Sequence, residues 1–454
     1  MSDASLRVLA PADRAQEFAY AGFDIDPSRG ELVGRYLLDG QGFSERITIA
    51  GIPPAAWERP GVDAAVAWAV LLLGVSYYKA GAPAIVDLGP LPVSDADREF
   101  LREYYLDGLG EFAYRNGLDL SGLELRGGLP VPPPPPPVSS TALRPLVPFG
   151  GGIDSIVTTE LVRAVAGDDD TALFVVSKSG DRFTAIETPA LLTGLPILRA
   201  ERQLDERILR SRELGYLNGH VPVTGMISAL AVLAALLHGR DAVVMSNESS
   251  ASSGNVRVGA RDVNHQWSKS MAFEAGFRGT LARRAVPVDY FSLLRSASEL
   301  WVARRFAALT GYHGAFRSCN RAFYIDPALR LDHWCGECDK CCFVDLVLAP
   351  FMGRNELAAV FGGHEPLADS LLAERFRTLL GTTSSPKPFD CVGDISECRT
   401  ALRLTAARAD RAGDALVHQL LAELPAEPDE AERLLHPSGP HFIPDTYAAG
   451  ALLD

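Results

Sequence analysis

The chain has 454 residues, 47% of them hydrophobic, and a formal charge of −14. That length exceeds what a single hydrophobic core usually organises, so two or three domains are expected, with ample apolar surface to bury. The acidic balance excludes broad nucleic-acid binding, which demands a basic face for phosphates.

In chain order, the N-terminus MSDASLRVLAPADRAQ has no basic region leading into an apolar core. No signal peptide is expected, and the expected location is the cytoplasm. GELVGRYLLDGQGFSERITIAG (30–51) alternates apolar and polar residues around Asp39-Gly40, the pattern of a hairpin. Helical patterns follow near 62–80 and 95–116, giving an α+β module over 1–129. Six successive prolines, 132–137, then predict a stiff polyproline spacer, assigned to 130–142. The longest uncharged runs, 64–75 and 221–237, are too short or too interrupted for a membrane span and are read as buried helices. No membrane contact is expected.

From 143 to 318, short apolar runs alternate with helical patterns: LRPLVPF, TALFVVS, LPILRAE and DAVVMSNE are strands, with helices between them. This is the pattern of an α/β fold with a parallel sheet and flanking helices. The first strand runs into GGGIDS (150–155) and then a helix. Glycines at a strand-to-helix turn let backbone N–H groups converge on a phosphate, and the helix N-terminus adds positive charge. Open α/β sheets bind ligands at this carboxyl edge. The stretch has neither the Gly-Lys-Ser/Thr of a Walker A loop nor the spacing of G-x-G-x-x-G, and a plain tight turn is the alternative. Later polar clusters, SKSGD with Ser177, NGH with His220, NESSASSGN, and NHQWSKS with His265 and Lys269, read either as solvated loops or as ligand contacts. The Asp168-Asp169-Asp170 run reads as a solvated turn. Residues 278–330 carry nine arginines against three acids, a net of +6, which is either a solvated face or an anion site.

Four of the seven cysteines form the second strong pattern. Cys335, Cys338 and Cys341 are spaced C-x2-C-x2-C, and Cys319 lies upstream, enough for a tetrahedral structural zinc. Cys342 is an alternative to Cys341, and an iron–sulfur cluster or free thiols are alternatives to zinc. A helical C-terminal region, 319–454, is expected around the cluster.

Gly150-Gly151-Gly152-Ile153-Asp154-Ser155 resembles the S-G-G-x-D-S loop of the N-type ATP pyrophosphatases, the PP-loop family of HUP-type fold, with Gly150 in place of the first serine. The resemblance implies that ATP, taken with Mg2+, is cleaved between its α and β phosphates. Gly150, Gly151, Gly152, Asp154 and Ser155 are then pyrophosphate contacts, with Ser177 and His220 as further nucleotide-binding candidates. The cysteine cluster is similar to the zinc cluster of the deazaguanine nitrile synthases. A longer set of segments, PFGGGIDSI, NGHVPVT, VVMSNESSAS, WCGECDKCCFVDLVLAPF and KPFDCVGDISECR, resembles the MurL family of UDP-N-acetylmuramoyl-L-alanyl-L-glutamate epimerases. This implies ATP-dependent inversion of the terminal L-glutamate of UDP-MurNAc-L-Ala-L-Glu, release of AMP and diphosphate, and functional coupling to a Mur ligase of peptidoglycan synthesis.

The chemistry explains the pairing of an ATP loop with an epimerase. Removing a proton beside a free carboxylate places two negative charges together, whereas an acyl-adenylate delocalises the charge as an enolate. Asp154 is then a catalytic residue of the activation step. Candidates for moving the proton are Cys391 and Cys398, by analogy with racemases that use paired thiols, and His265 or Lys269; Lys269 is alternatively a phosphate contact. Two other functions fit a PP-loop: adenylation of a nucleobase or tRNA for thiolation or amidation, and a non-catalytic nucleotide-binding regulator.

Overall fold

The predicted hairpin closes where the Asp39-Gly40 pair places it. Both residues have positive φ, 47° and 79°, which is the backbone a two-residue turn between twisted strands requires. In the computed structural model, which describes residues 14–131, 133, 144–258, 261–384 and 387–451, this turn joins strands β2 (Glu31–Leu38) and β3 (Gln41–Thr48), and β1 (Glu17–Asp26) pairs antiparallel to β2. Most of the proline-rich stretch assigned to 130–142 lies outside the described residues. The helical patterns resolve into Val62–Leu73 with Val75–Tyr78, and Asp95–Leu106 with Gly110–Asn116.

The remaining strands are β4 (Ile85–Asp87), β5 (Glu124–Arg126), β6 (Pro145–Pro148), β7 (Ala172–Lys178), β8 (Ile197–Gln203), β9 (Ala242–Met245), the small hairpin β10 (Val256–Val258) and β11 (Arg261–Val263), and β12 (Asp289–Ser292). Ten of them form one mixed, mostly parallel sheet in the order β12-β9-β6-β7-β8-β3-β2-β1-β4-β5. The N-terminal strands therefore continue the sheet of the later segment, through an antiparallel pairing of β3 with β8. A buried ion pair sits at this joint: Arg202 Nε donates to Glu45 at 2.6 Å, with the glutamate side chain fully buried.

Alternate residues of the parallel strands feed two separate cores, as the period of two dictates. Leu146, Phe174, Val243 and Tyr290 face one layer, which also holds helix Val62–Leu73 and helix Val223–His238. Val147, Leu173, Val244 and Phe291 face the other, with helix Ile153–Ala166, helix Glu299–Ala307 and the C-terminal helices, among them Asp339–Leu348 and Ile395–Ala406. Both apolar runs noted at 64–75 and 221–237 are thus buried helices, and no helix of the described residues is long and apolar enough to cross a membrane. After β12 the described residues form helices and turns only.

The chain winds from β6 outward to β7 and β8, then returns to place β9 and β12 on the other side of β6. Loops leaving β6 and β9 consequently diverge to opposite faces and leave a crevice at the carboxyl edge. This is where the glycine loop lies.

The β3–β8 joint supplies a first test. Glu45→Ala leaves Arg202 buried without its partner, and unfolding in urea is expected to show a loss of about 3 kcal/mol or more. A loss below about 0.5 kcal/mol would show that the joint does not depend on this pair.

Candidate active site

The crevice is a cleft of about 630 Å³. Its lining comes from separate parts of the chain: Gly150, Gly152, Asp154 and Ser155 after β6, Ser246 and Asn247 after β9, Lys269, Arg317 and Ser318, Lys340, and Asp390 with Cys391. The loop geometry explains its glycines. Gly151 has φ of +78°, and a Cβ there would lie 2.2 Å from the Ala185 carbonyl oxygen, so no other residue fits. Gly150 faces open space, which means that a serine at this position is missing for no steric reason. Gly152 caps helix Ile153–Ala166 with no side-chain hydrogen bond to its first turn, and the Ser155 hydroxyl donates back to the Gly152 carbonyl at 3.0 Å.

Three carboxylates converge beside this helix start. Oxygens of Asp154, Glu248 and Glu299 lie within 4.8 Å of one another. Each residue has a buried oxygen without a hydrogen-bond partner, Asp154 Oδ1, Glu248 Oε2 and Glu299 Oε2. Burial and the neighbouring Glu248 push the Asp154 carboxyl up to about 6 against the opposing pull of Lys340 and Lys269. Burial, with Asp154 and Glu248 adding to it, raises Glu299 well above the ordinary carboxylate range. Unpartnered, mutually repelling oxygens of this kind are the donor set a hard divalent cation takes.

Across the cleft, Lys269 Nζ lies 3.7 Å from Cys391 Sγ, and Lys340 Nζ donates to the Cys391 carbonyl. Burial acts to raise the Cys391 thiol, but Lys269, a hydrogen bond with His265, and Lys340 outweigh it and hold it at about 7. The surrounding backbone is braced by Arg295, fully buried against Glu274 at 2.8 Å, whose remaining nitrogens donate to the carbonyls of Glu248 at 3.0 Å and Lys269 at 2.6 Å.

Cys319, Cys335, Cys338 and Cys341 bring their sulfurs within 4.8 Å of one another. The Cys335–Cys341 and Cys338–Cys341 separations are 3.6 and 3.4 Å, close to the ~3.8 Å set by a tetrahedral zinc with bonds of about 2.3 Å. The set therefore fits a structural zinc. Cys342 stays outside this group, buried in the C-terminal core, where desolvation raises its thiol. Cys338 is also the N-cap of helix Asp339–Leu348, so the cluster fixes the helix start that aims Lys340 into the cleft.

Not every residue singled out in the sequence reaches the cleft. Ser177 accepts a hydrogen bond from Arg182 at 3.3 Å, and its neighbour Val176 lines the cleft instead. His220 packs on His265 with ring centroids 4.3 Å apart, and both lie against Glu111. Cys398 is 1% exposed on the inner face of its helix, where burial raises its thiol, and it does not line the cleft. Conversely, Glu299 and Lys340 carry no pattern of their own in the sequence, while Glu248 falls in the polar cluster NESSASSGN and Arg317 in the arginine-rich stretch 278–330. Lys340 sits between Cys338 and Cys341, and Glu248 three residues past the end of β9, at the carboxyl edge of the sheet.

The family model of the MurL N-terminal domain matches residues 10–293, and that of the MurL C-terminal domain matches residues 315–435. Three similar proteins each carry the name UDP-N-acetyl-alpha-D-muramoyl-L-alanyl-L-glutamate epimerase. The one from Xanthomonas oryzae pv. oryzae is 39% identical over 94% of this chain and 95% of its own. That from Salinispora tropica is 38% identical over 96% and 95%, and that from a Micromonospora species 39% over 96% and 97%. No solved structure matches the chain significantly.

Two measurements check the metal sites. Elemental analysis is expected to find one zinc per chain, lost in Cys338→Ser; iron, or no metal, would overturn the assignment. Magnesium is expected to raise the melting temperature at pH 8, where ionised carboxylates repel, by the equivalent of about 1.4 kcal/mol at tenfold excess over its Kd. Because the Asp154 carboxyl takes up its proton as pH falls through about 6, the stabilisation should fade below that pH. An equal effect at pH 5 and pH 8 would rule out the carboxylate site.

Proposed function

The chain belongs to the MurL family of epimerases, and from that premise we propose that it inverts the terminal L-glutamate of UDP-MurNAc-L-Ala-L-Glu to D-glutamate. The reaction consumes ATP, passes through an acyl-adenylate and releases AMP and diphosphate. The observation that carries this reading is the placing of a phosphate-type glycine loop, Asp154 of the carboxylate cluster, and the Cys391 thiol with Lys269 3.7 Å from its sulfur around one cleft. The doubly wound strand order about β6 supports reading the parallel half as a PP-loop fold of HUP type.

In this mechanism the glycine loop and the N-terminus of helix Ile153–Ala166 hold the β and γ phosphates, with Lys340 and Lys269 as counter-charges. Asp154, Glu248 and Glu299 would hold Mg2+, whose charge would supply screening of the triphosphate. The substrate α-carboxylate, attached to the reacting carbon, attacks the α-phosphorus; its oxygen gains the bond to phosphorus as the bond to diphosphate breaks. The Cys391 thiolate then takes the α-proton, and the C–H electron pair moves into the adenylated carbonyl as an enolate. A proton returned to the opposite face gives the D-centre, and water cleaves the adenylate to carboxylate and AMP. Ser177, His220 and Cys398 make no contact with the reactants in this scheme. The enzyme works in the cytoplasm on a nucleotide-linked small molecule, and its product is taken up by a Mur ligase.

Incubation with UDP-MurNAc-L-Ala-L-Glu and ATP-Mg, followed by chiral analysis of the glutamate, tests the reaction directly. Asp154→Ala should lose AMP formation and inversion together, by roughly thirtyfold to a thousandfold, the equivalent of about 2 to 4 kcal/mol of transition-state stabilisation. Cys391→Ser should still release AMP while solvent deuterium no longer enters the α-position. Undiminished inversion in the Asp154 variant would remove the loop from the mechanism, and unchanged deuterium uptake in the Cys391 variant would remove the thiol.

A further inference from the structure

The cleft thiol is held from a direction that the reaction scheme leaves unexplained. Cys391 lies in the segment 387–391, ahead of helix Ile395–Ala406, and its imidazole neighbour His265 lies between β11 and helix Met271–Arg283. The short helix Gly110–Asn116 of the N-terminal segment contacts His265 and, in the segment carrying Cys391, Phe389. Glu111, 5% exposed, accepts a hydrogen bond from His265 Nδ1. Arg115 donates to the other Glu111 oxygen at 2.5 Å and lays its guanidinium over the Phe389 ring, 5.0 Å from the centroid. Tyr114 packs on the same ring at 5.6 Å. From the opposite side, Asn255 ties the two segments together, accepting from the His265 backbone N–H at 2.8 Å and donating to the Pro388 carbonyl at 2.8 Å.

We propose that Glu111 is a positioning residue for proton transfer, orienting His265 toward Cys391 in a carboxylate–imidazole–thiol chain that runs from the N-terminal segment into the cleft. This rests on the assignment of Cys391 as the group that takes the α-proton. Glu111 fixes the ring because one carboxylate oxygen holds Nδ1, which sets both the tautomer and the rotation of the imidazole. An imidazolium beside the thiol then stabilises the thiolate, the form that abstracts a proton. His265 is accordingly raised to about 9: burial, which lowers it, is outweighed by hydrogen bonds with Cys391 and Glu111. His220, stacked on His265, is pushed down to about 4, first by burial and then by the charge of His265. It therefore remains neutral and leaves the positive charge on the ring that faces the thiol.

Donor atoms of Glu111, His220 and His265 also lie within 4.8 Å of one another, the composition of a metal site. Hydrogen bonds already occupy both oxygens of Glu111, and the cations Arg115 and Lys79 flank the group. That charge distribution favours a proton chain over a bound dication. Lys79 Nζ donates to Asn218 Oδ1 at 2.8 Å and to the Gly219 carbonyl at 3.2 Å, so the loop carrying His220 is also held by the N-terminal segment.

The test uses the full-length protein and Glu111→Gln, which keeps the size of the side chain and removes its charge. The pH dependence of Cys391 alkylation by iodoacetamide, followed at that cysteine by peptide mass spectrometry, reads the chain without requiring turnover. The titratable and charged groups beside Cys391 are Lys269, Lys340, His265 and Asp390, and those beside His265 are Glu111, His220 and Cys391; only Glu111 is altered in this variant. The alkylation midpoint of the unaltered protein is expected at about 7, and in Glu111→Gln it should move to higher pH. With ATP-Mg and the dipeptide precursor, AMP release should hold within about twofold, while kcat for deuterium entry at the glutamate α-carbon falls at least about tenfold with little change in KM. Glu111→Asp, tested alongside, should recover part of the loss. An unchanged alkylation midpoint in a folded Glu111→Gln protein overturns the proposal, as does parallel loss of AMP release and deuterium exchange, which would mark Glu111 as a general support of the cleft. If the unaltered protein forms no AMP, the reaction scheme fails while the alkylation profiles still decide the role of Glu111.

Discussion

Two lysines, Lys269 and Lys340, face a thiol and a cluster of three carboxylates at the cleft, and much of the surrounding structure serves to keep them there. Fully ionised, Asp154, Glu248, Glu299 and Cys391 would set four negative charges against Lys269 and Lys340. Bringing like charges together in low dielectric is costly, and the protein meets that cost in part by protonation, as the raised carboxyls of Asp154 and Glu299 indicate. The positions of the lysines are correspondingly over-determined. Lys269 is held by its backbone carbonyl to the buried Arg295–Glu274 pair. Lys340 is held by the helix whose first turn is fixed among the clustered cysteines. Carboxylates that repel one another beside two lysines are suited to a cation on one side and an anion on the other, which is the arrangement the proposed reaction uses.

This charge balance gives the cysteine cluster a role beyond stabilising a helical region. Cys338 and Cys341 flank Lys340 in sequence, and Cys319 follows Arg317 and Ser318; Lys340, Arg317 and Ser318 line the cleft. The Ser318 hydroxyl lies 2.8 Å from where a Cβ on Gly152 would sit, and the Arg317 backbone N–H donates to the Gly151 carbonyl at 3.2 Å. The segment carrying the first cluster cysteine is thus bonded directly to the glycine loop. A metal on these thiols would lock loop and lysine into one unit and spare the site the entropy of ordering two separate segments.

The parts of the site that were legible in the sequence are those whose chemistry is local. The glycine loop, the spaced cysteines and the Asp39-Gly40 hairpin depend on backbone geometry within a few residues, so their patterns survive without knowledge of the fold. Glu248, Glu299 and Glu111 become neighbours of other site residues only through the topology: one follows β9, one lies in the first turn of a helix after β12, and one belongs to the N-terminal segment. Ser177 shows the converse case, a candidate from the sequence that does not line the cleft. It lies at the carboxyl end of a predicted strand, but successive residues point to opposite faces, and Val176 takes the cleft-facing position. Cys398 likewise lies in a recognisable motif, yet the helical period turns it into the core. The pairing of β3 with β8 had no local signature either, because antiparallel partners so far apart in sequence are chosen by the completed sheet.

The same distinction separates the two chemical tasks. In the proposed reaction, phosphate binding needs backbone N–H groups and a helix terminus, which one contiguous turn can supply. Proton transfer at carbon needs a base of matched pKa held at a fixed angle to a bond that is weakly acidic even after activation. A thiol at the end of an irregular segment has no such constraint of its own. Here the constraint is imported: Phe389 is clamped by Tyr114 and Arg115, Pro388 is tied through Asn255 to the His265 backbone, and His265 is bonded to Glu111. These contacts span the antiparallel and parallel halves of the sheet, and they can hold only if the two halves are fixed relative to each other. The continuous sheet across β3 and β8 provides that rigidity, which ties the N-terminal segment to the angle of a single thiol some tens of residues from the end of the chain.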